Sequence, residues 1–144
     1  MSERPGSRTG SRLGQPSEVR RGISEFGEAL AHLVESTPGA WGAVLSDGRG
    51  EAIDFAHRAS EISELDLQIA GAQVGQAMAR LQRTATVLGL GQADVVLQGS
   101  RATLCTAQLF SEYLVTLLLD HDCNIGRATH SFSEMRAALL DMLE

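Results

Sequence analysis

Apolar residues recur at steps of three and four in three parts of the chain, a spacing typical of amphipathic helices. Ser17 and Ser60 precede the first two of these segments and are suitable N-caps. The third helix begins either after Asn124 or later, at a capping box formed by Ser131 and Glu134. The predicted helices cover residues 19–34, about 61–88 and about 125–142.

Shorter apolar runs, separated by turn residues, predict five β-strands. Asp47-Gly48 lies between the first two and favours a hairpin, while tight turns make the last three an antiparallel meander. The final strand carries apolar side chains on both faces, which indicates a central position. This order predicts an α/β (α+β) domain with a five-stranded antiparallel sheet and helices on both faces. The predicted strands are Ala40–Ser46, Glu51–Ala56, Ala93–Gln98, Arg101–Leu109 and Tyr113–Asp120.

Composition divides the 144 residues into a tail and one domain. Residues 1–17 combine arginine with glycine, serine and proline, so we predict a disordered basic tail there and a folded domain over residues 18–144. The tail could be a solvated linker or could contact an anionic surface. All 12 basic residues are arginine, yet the net charge of −6 argues against nucleic-acid binding by the whole domain.

The chain shows no secretory signal and no run of about 18 apolar residues. Its two cysteines, Cys105 and Cys123, form neither a CxxC pair nor a disulfide framework. We therefore expect a cytoplasmic protein without a transmembrane segment.

No pattern of reactive residues predicts catalysis or cofactor binding. The segment "DHDCN", residues 120–124, gathers carboxylates, an imidazole and a thiol, but a strand turning into a helix N-terminus uses such residues as caps. Gly89 and Gly91 precede a strand instead of following one, and the absence of lysine rules out a P-loop lysine. We expect no catalytic residue, no metal and no cofactor, so the protein is not expected to be an enzyme.

The long second helix presents a predicted core stripe and, beside it, a stripe of small residues. In the small stripe, Gly71, Gly75 and Ala79 lie four residues apart and permit another backbone to approach closely. That backbone could belong to the same helix of a second protomer or to the chain's own strands. The predicted core stripe consists of Leu67, Ala70, Val74, Ala77, Met78, Leu81, Ala85 and Leu88.

The remaining face of this helix is rich in glutamine and arginine. No acidic residue occurs between Asp66 and Asp94, so the face is locally positive although the protein is acidic. Such a surface suits an acidic protein partner, and an ordinary solvated face would have the same composition.

The order of these segments resembles the roadblock domain family, also called the dynein light-chain roadblock or LAMTOR-type family, and within it the bacterial MglB-type regulators. The resemblance spans about residues 22–143. It is carried by "GAWGAVLSDGRGEAIDF", the alanine- and glycine-rich long helix, "LGLG", "ADVVLQG" and "EYLVTLLLDHDCNIGRA".

The resemblance implies a profilin-like sandwich with the long helix on one sheet face and two helices on the other. It also implies a homodimer in which the long helices pair, with Gly71, Gly75 and Ala79 at their contact, and in which edge strands can join the two sheets. The implied function is regulation of a small Ras-like GTPase. MglB-type members stimulate GTP hydrolysis by reorganising the GTPase's own residues, without inserting an arginine finger. The implied contact residues are Gln68, Ala72, Gln76, Arg80 and Arg83.

Two other functions fit the same sequence. One is a structural adaptor or scaffold that dimerises and docks multiprotein assemblies independently of nucleotide. The other is a small-molecule sensor, which requires an internal pocket that no converging polar residues indicate.

Overall fold

The computed structural model describes residues 18–91, 93–109 and 112–143, so the predicted tail over residues 1–17 lies outside the described part of the chain. The predicted order of helices and strands is present, with one additional strand at the beginning. The elements are β1 (Val19–Arg21), α1 (Glu25–Ser36), β2 (Ala40–Ser46), β3 (Ala52–Arg58), α2 (Glu64–Val87), β4 (Val95–Gln98), β5 (Ala102–Leu109), β6 (Tyr113–Asp120) and α3 (Ile125–Leu143).

The strands form one antiparallel sheet in the order β1-β3-β2-β6-β5-β4. The early hairpin and the late meander meet at its centre, where Val44 of β2 lies opposite Thr116 of β6. Val115 and Leu117 point to one face of β6 and Thr116 to the other, and all three are buried. The predicted central position of the last strand is therefore confirmed.

Residues 19–21 form an edge strand and not the first turn of a helix, so the sheet has six strands where five were predicted. Val19 pairs with Arg58, and Arg21 pairs with Ala56. The sequence pattern had included Val19 and Ile23 in a helix capped by Ser17, but Ile23 is fully exposed.

A buried carboxylate on β3 determines where α1 begins. Asp54 accepts hydrogen bonds from the backbone nitrogens of Ser24 and Gly27 at 3.0 and 3.1 Å, and from the Ser24 hydroxyl. Ser24 is the N-cap and accepts from the nitrogen of Phe26. Gly22 cannot be replaced without displacing this carboxylate, because a β-carbon there would overlap Asp54 Oδ1. Helix α1 therefore starts at Glu25, six residues later than the pattern predicted.

The caps of the other two helices differ in how well they were predicted. Ser63, and not Ser60, caps α2 by accepting from the nitrogen of Asp66 at 3.1 Å, because residues 59–61 form a turn. Asn124 Oδ1 accepts from the nitrogen of Arg127 at 3.0 Å, so α3 is the longer of the two alternatives.

The sheet separates two helical layers of unequal size. Helices α1 and α3 pack together on one face over the main core, and α2 packs on the other face against β2, β3 and β6. This arrangement confirms the predicted sandwich with the long helix on one face and two helices on the other. The largest core side chains include Leu30, Leu33, Leu45, Leu109, Leu117, Leu119 and Leu139.

Candidate interaction surface

Helix α2 approaches the chain's own sheet most closely at Gly71. A β-carbon there would lie 2.8 Å from Val44 Cγ1 and 3.0 Å from Ser46 Oγ, which is closer than side chains pack. At Gly75 the nearest side-chain atom would be Leu114 Cδ1, at an ordinary contact distance of 3.5 Å. The missing side chain at Gly71 therefore allows the helix to pack on β2. The sequence allowed two neighbours for Gly71, the same helix of a second protomer or the chain's own strands. In the structure, Gly71 contacts the chain's own strand β2.

The face of α2 that packs on the sheet is rotated from the predicted apolar stripe. Ala77, Leu81 and Leu88 were expected in the core, but all three are exposed. That expectation was wrong because the line of closest approach follows the small residue Gly71 and not the middle of the apolar stripe. The buried residues of the helix are Leu67, Gly71, Met78 and Ala85.

The three small residues predicted at a helix–helix contact lie in different environments. Gly71 is buried under the chain's own helix–sheet contact, Gly75 is half-buried, and Ala79 is exposed. Only Ala79 and the open side of Gly75 can therefore meet a second chain without rearrangement of α2.

The residues predicted to bind a partner share the outer side of α2. Gln68 and Ala72 are half-buried, while Gln76, Arg80 and Arg83 are exposed. Gln68 donates a hydrogen bond to Glu64 at 3.2 Å, whereas neither arginine forms an ion pair with any residue that the structure describes. We call these five residues the basic face of α2.

A shallow depression of mixed polar and apolar lining adjoins the basic face, between the first half of α2 and the β2–β3 turn. Its open volume is about 510 Å³, and Leu65 and Ile69 line it while 66% and 46% exposed. Gly50 closes one side at a positive φ of 89°, where its backbone packs against Ala72. The sequence pattern does not predict this depression, because its walls come from two elements and neither segment of sequence shows that they are in contact.

Part of the α2 side of the sheet has no covering helix among the described elements. Leu118, Leu104 and Leu97 lie side by side across β6, β5 and β4, on the same face as Gly42 of β2. Leu97 is 63% exposed, and β4 is an edge strand. Leu97 and the half-buried Leu104 and Leu118 form a second apolar area, which we call the β4 face.

The segment 120–124 forms the turn between β6 and α3. One ligand atom from each of Asp120, His121 and Asp122 lies within 4.8 Å of the others. Asp120 Oδ1 accepts from the backbone nitrogen of His121 and lies 3.1 Å from its Nδ1. Asn124 caps α3 at the end of this turn, so the segment joins a strand to a helix N-terminus.

The thiols of this region are not activated. Burial, with a smaller contribution from nearby Cys123, raises the pKa of Cys105 to about 11. Burial also raises the pKa of Cys123, against hydrogen bonds from its own backbone and Thr103 that lower it. Both thiols are therefore protonated at neutral pH, which makes them poor nucleophiles.

Comparison with solved structures assigns the fold. No family model and no curated protein sequence matches the chain. The gliding protein MglB of Thermus thermophilus superposes with a TM-score of 0.72 at 23% identity, over 81% of this chain and 86% of that protein. The Roadblock/LC7 domain from Streptomyces avermitilis gives 0.70 at 14% identity, over 81% and 95%. The chain therefore has a roadblock-type fold.

The wider fold class is that of the profilins. Profilin IA of Acanthamoeba castellanii matches with a TM-score of 0.53 at 11% identity, over 81% of this chain and 98% of profilin. This similarity confirms the profilin-like sandwich. No helix in the described part of the chain has the length and apolar character needed to cross a bilayer.

Proposed function

We propose that this protein is a homodimeric regulator of a small Ras-like GTPase and that it binds the GTPase through the paired long helices. The proposal is supported by a roadblock-type fold, which MglB shares, combined with an exposed basic face on the long helix. The protein supplies no catalytic residue of its own.

The basic face and the depression together have the composition of a protein-binding surface. Leu65 and Ile69 provide exposed apolar area that a partner can cover, and Arg80 and Arg83, further along the same helix, provide guanidinium groups without an ion pair to any described residue. Interfaces commonly combine an apolar centre with polar residues at the rim, and arginine is enriched in them. An acidic surface on the GTPase would complement this side of α2.

The β4 face, together with exposed leucines of α2, supplies the dimer contact in this proposal. Leu81, Leu88 and Leu97 expose apolar area, and the outer edge of β4 carries backbone groups that another strand can bind. A two-fold axis beside β4 would extend the sheet across both chains and would place the α2 helices of the two copies next to each other. Each chain would then contribute one helix to a common GTPase platform.

Regulation in this proposal consists of stimulated GTP hydrolysis. The dimer holds the GTPase's own catalytic residues in position, so no arginine enters the nucleotide site. Binding of this kind depends on which nucleotide the GTPase carries. The GTPase loops that change conformation with the γ-phosphate are the loops that the dimer must hold in position.

The deciding experiment measures mass by light scattering on a sizing column, with a candidate GTPase loaded with GDP or with a non-hydrolysable GTP analogue. We expect two copies of this chain to bind one GTPase in the GTP form only. Equal binding of both nucleotide forms would instead assign the protein as an adaptor. A monomeric chain that binds neither form would contradict the proposal.

A charge-reversal variant tests the assigned surface. Arg80→Glu with Arg83→Glu should weaken GTPase binding at least about tenfold, since it replaces two attractive charges by repulsive ones. The mass of the dimer should not change. The matched control is Arg101→Glu with Arg127→Glu, which makes the same charge change at two exposed positions outside α2. Equal affinity of the two double variants would show that the GTPase binds elsewhere.

A further inference from the structure

A groove of about 430 Å³ lies along the contact between α1 and α3 on the sheet face opposite α2. Its floor is apolar and includes the buried side chains of Leu33 and Met135. Its rim carries Glu25 and Glu28 from α1 and Glu134 from α3. This combination provides both apolar area and negative charge to an elongated ligand.

The carboxylates of this groove are largely free to bind a cation. Glu25, Glu28 and Glu134 are exposed, and neither glutamate of α1 forms an ion pair with a described residue. Among the described residues, the ion-pair neighbour of Glu134 is the imidazole of His130, whose Nε2 lies 3.5 Å away on the preceding turn. No arginine belongs to the described lining of the groove. We call this site the acidic groove.

We propose that the acidic groove is the docking site for the arginine-rich segment of the same chain, residues 1–17. That segment has three arginines, Arg4, Arg8 and Arg12, and a single carboxylate, Glu3. The arginines are spaced by four residues, so an extended segment would present all three on one side. A guanidinium binds a carboxylate through two parallel hydrogen bonds, which makes arginine the suitable cation for such a site.

The chain path permits this contact. Residue 18 precedes β1, and β1 packs against α1, which forms one wall of the groove. Seventeen residues can span up to roughly 55 Å when extended, whereas the 12 residues of α1 span only about 18 Å. Because the segment is attached to the strand that packs on α1, its effective concentration at the groove is on the order of millimolar, and weak individual contacts are sufficient for docking.

Methionine methyl groups provide a direct test in the full chain. Met135 and Met142 line the acidic groove, while Met78 is buried under α2 on the opposite face of the sheet. A nitroxide attached to Ser11→Cys, with Cys123→Ser to remove the more accessible native thiol, should broaden the NMR signals of Met135 and Met142 much more than that of Met78. Equal or negligible broadening of all three signals would overturn the proposal.

Substitutions then test the charges. Arg4→Gln, Arg8→Gln and Arg12→Gln together should abolish the selective broadening, and Glu28→Gln with Glu134→Gln should lower the docking equilibrium about tenfold. Glu51→Gln with Glu112→Gln removes the same charge from exposed positions outside the groove and should leave the broadening unchanged. Undiminished broadening in the groove variant would overturn the assignment of the site.

A mixed sample identifies which chain supplies the segment. Spin-labelled chains without isotope are combined with isotope-labelled chains that carry no spin label. If the segment docks on its own chain, the signals of Met135 and Met142 should show no selective broadening in this mixture. Selective broadening of these signals would overturn docking within one chain. GTPase binding does not enter any of these measurements, so their outcome is independent of the function proposed above.

Discussion

At the scale of single residues, Gly71 and Gly75 lie one turn apart on α2 but differ in what surrounds them. Gly71 faces the methyl group of a fully buried β-branched residue, Val44, whose side chain has little rotational freedom. Gly75 faces Leu114 at an ordinary contact distance. Two glycines that are equivalent in the sequence pattern are therefore not equivalent in the folded chain.

Alanine substitutions at these two positions should change the free energy of unfolding in opposite directions. Gly75→Ala gains helix propensity without a clash and should stabilise by about 0.5–1 kcal/mol. Gly71→Ala gains the same propensity but overpacks the contact with Val44 and Ser46, so we expect a net loss of about 1–2 kcal/mol.

Urea unfolding of both variants at one protein concentration measures the difference, because any dimerisation makes apparent stability depend on concentration. Similar stabilisation by both substitutions would show that α2 does not need close contact with the sheet at Gly71.

At the scale of elements, the link between α1 and β3 depends on one carboxylate. Asp54 is buried and accepts from two backbone nitrogens at the start of α1, so it holds the helix on the strand across about 30 residues of sequence. Sequence periodicity cannot show this bond, because it joins segments that are distant along the chain. This bond is the physical reason why the start of α1 was placed too early.

Asp54→Asn should destabilise the fold by about 2–3 kcal/mol. The amide keeps one acceptor oxygen but places an NH₂ group against backbone N–H donors, which leaves buried donors without a partner. Thermal unfolding measures the effect. Ser24→Ala is the comparison, since loss of a cap alone costs about 1 kcal/mol. Equal losses of stability in the two variants would show that Asp54 stabilises the start of α1 no more than an ordinary N-cap does.

The elements also show which sequence patterns were informative. Strands β2 to β6 and the long helix were located correctly because each has several apolar positions at one clear period. Strand β1 was missed because Val19 is the single apolar residue among its three, and Val19 also fitted a helical spacing. The buried face of α2 was predicted incorrectly because a pattern of apolar positions does not include glycine. In the structure, Gly71 marks the line along which the helix packs most closely on the sheet.

At the scale of the whole molecule, the two faces of the sheet are covered unequally. Helices α1 and α3 cover one face, while α2 leaves the β4 side of the other face open. Among the predicted site residues, those of the basic face do share one side of α2. The depression beside them and the β4 face could not be predicted, since both depend on which strands a helix leaves uncovered.

Charged substitutions at the proposed dimer contact, one on α2 and one on β4, should dissociate the dimer. Leu81→Glu with Leu97→Glu should raise the dimer dissociation constant at least about 100-fold, since each leucine loses about 1.5–3 kcal/mol of burial. Sedimentation equilibrium measures this constant. Leu65→Glu is the control, because Leu65 is about as exposed as Leu97 but lies in the depression, so the substitution should affect GTPase binding and not dimerisation. An unchanged dissociation constant in the double variant would show that the dimer contact does not include these two leucines.

The pairing of β2 with β6 has a consequence for synthesis on the ribosome. The partner of β2 on that side is encoded about 70 residues later, so at roughly 5–20 residues per second it emerges some 4–14 s after β2. During that interval the nascent hairpin has an unpaired inner edge, and Leu45 lacks the core that later covers it. Any chaperone that assists this protein should therefore act on the first hairpin, before the last strand leaves the ribosome.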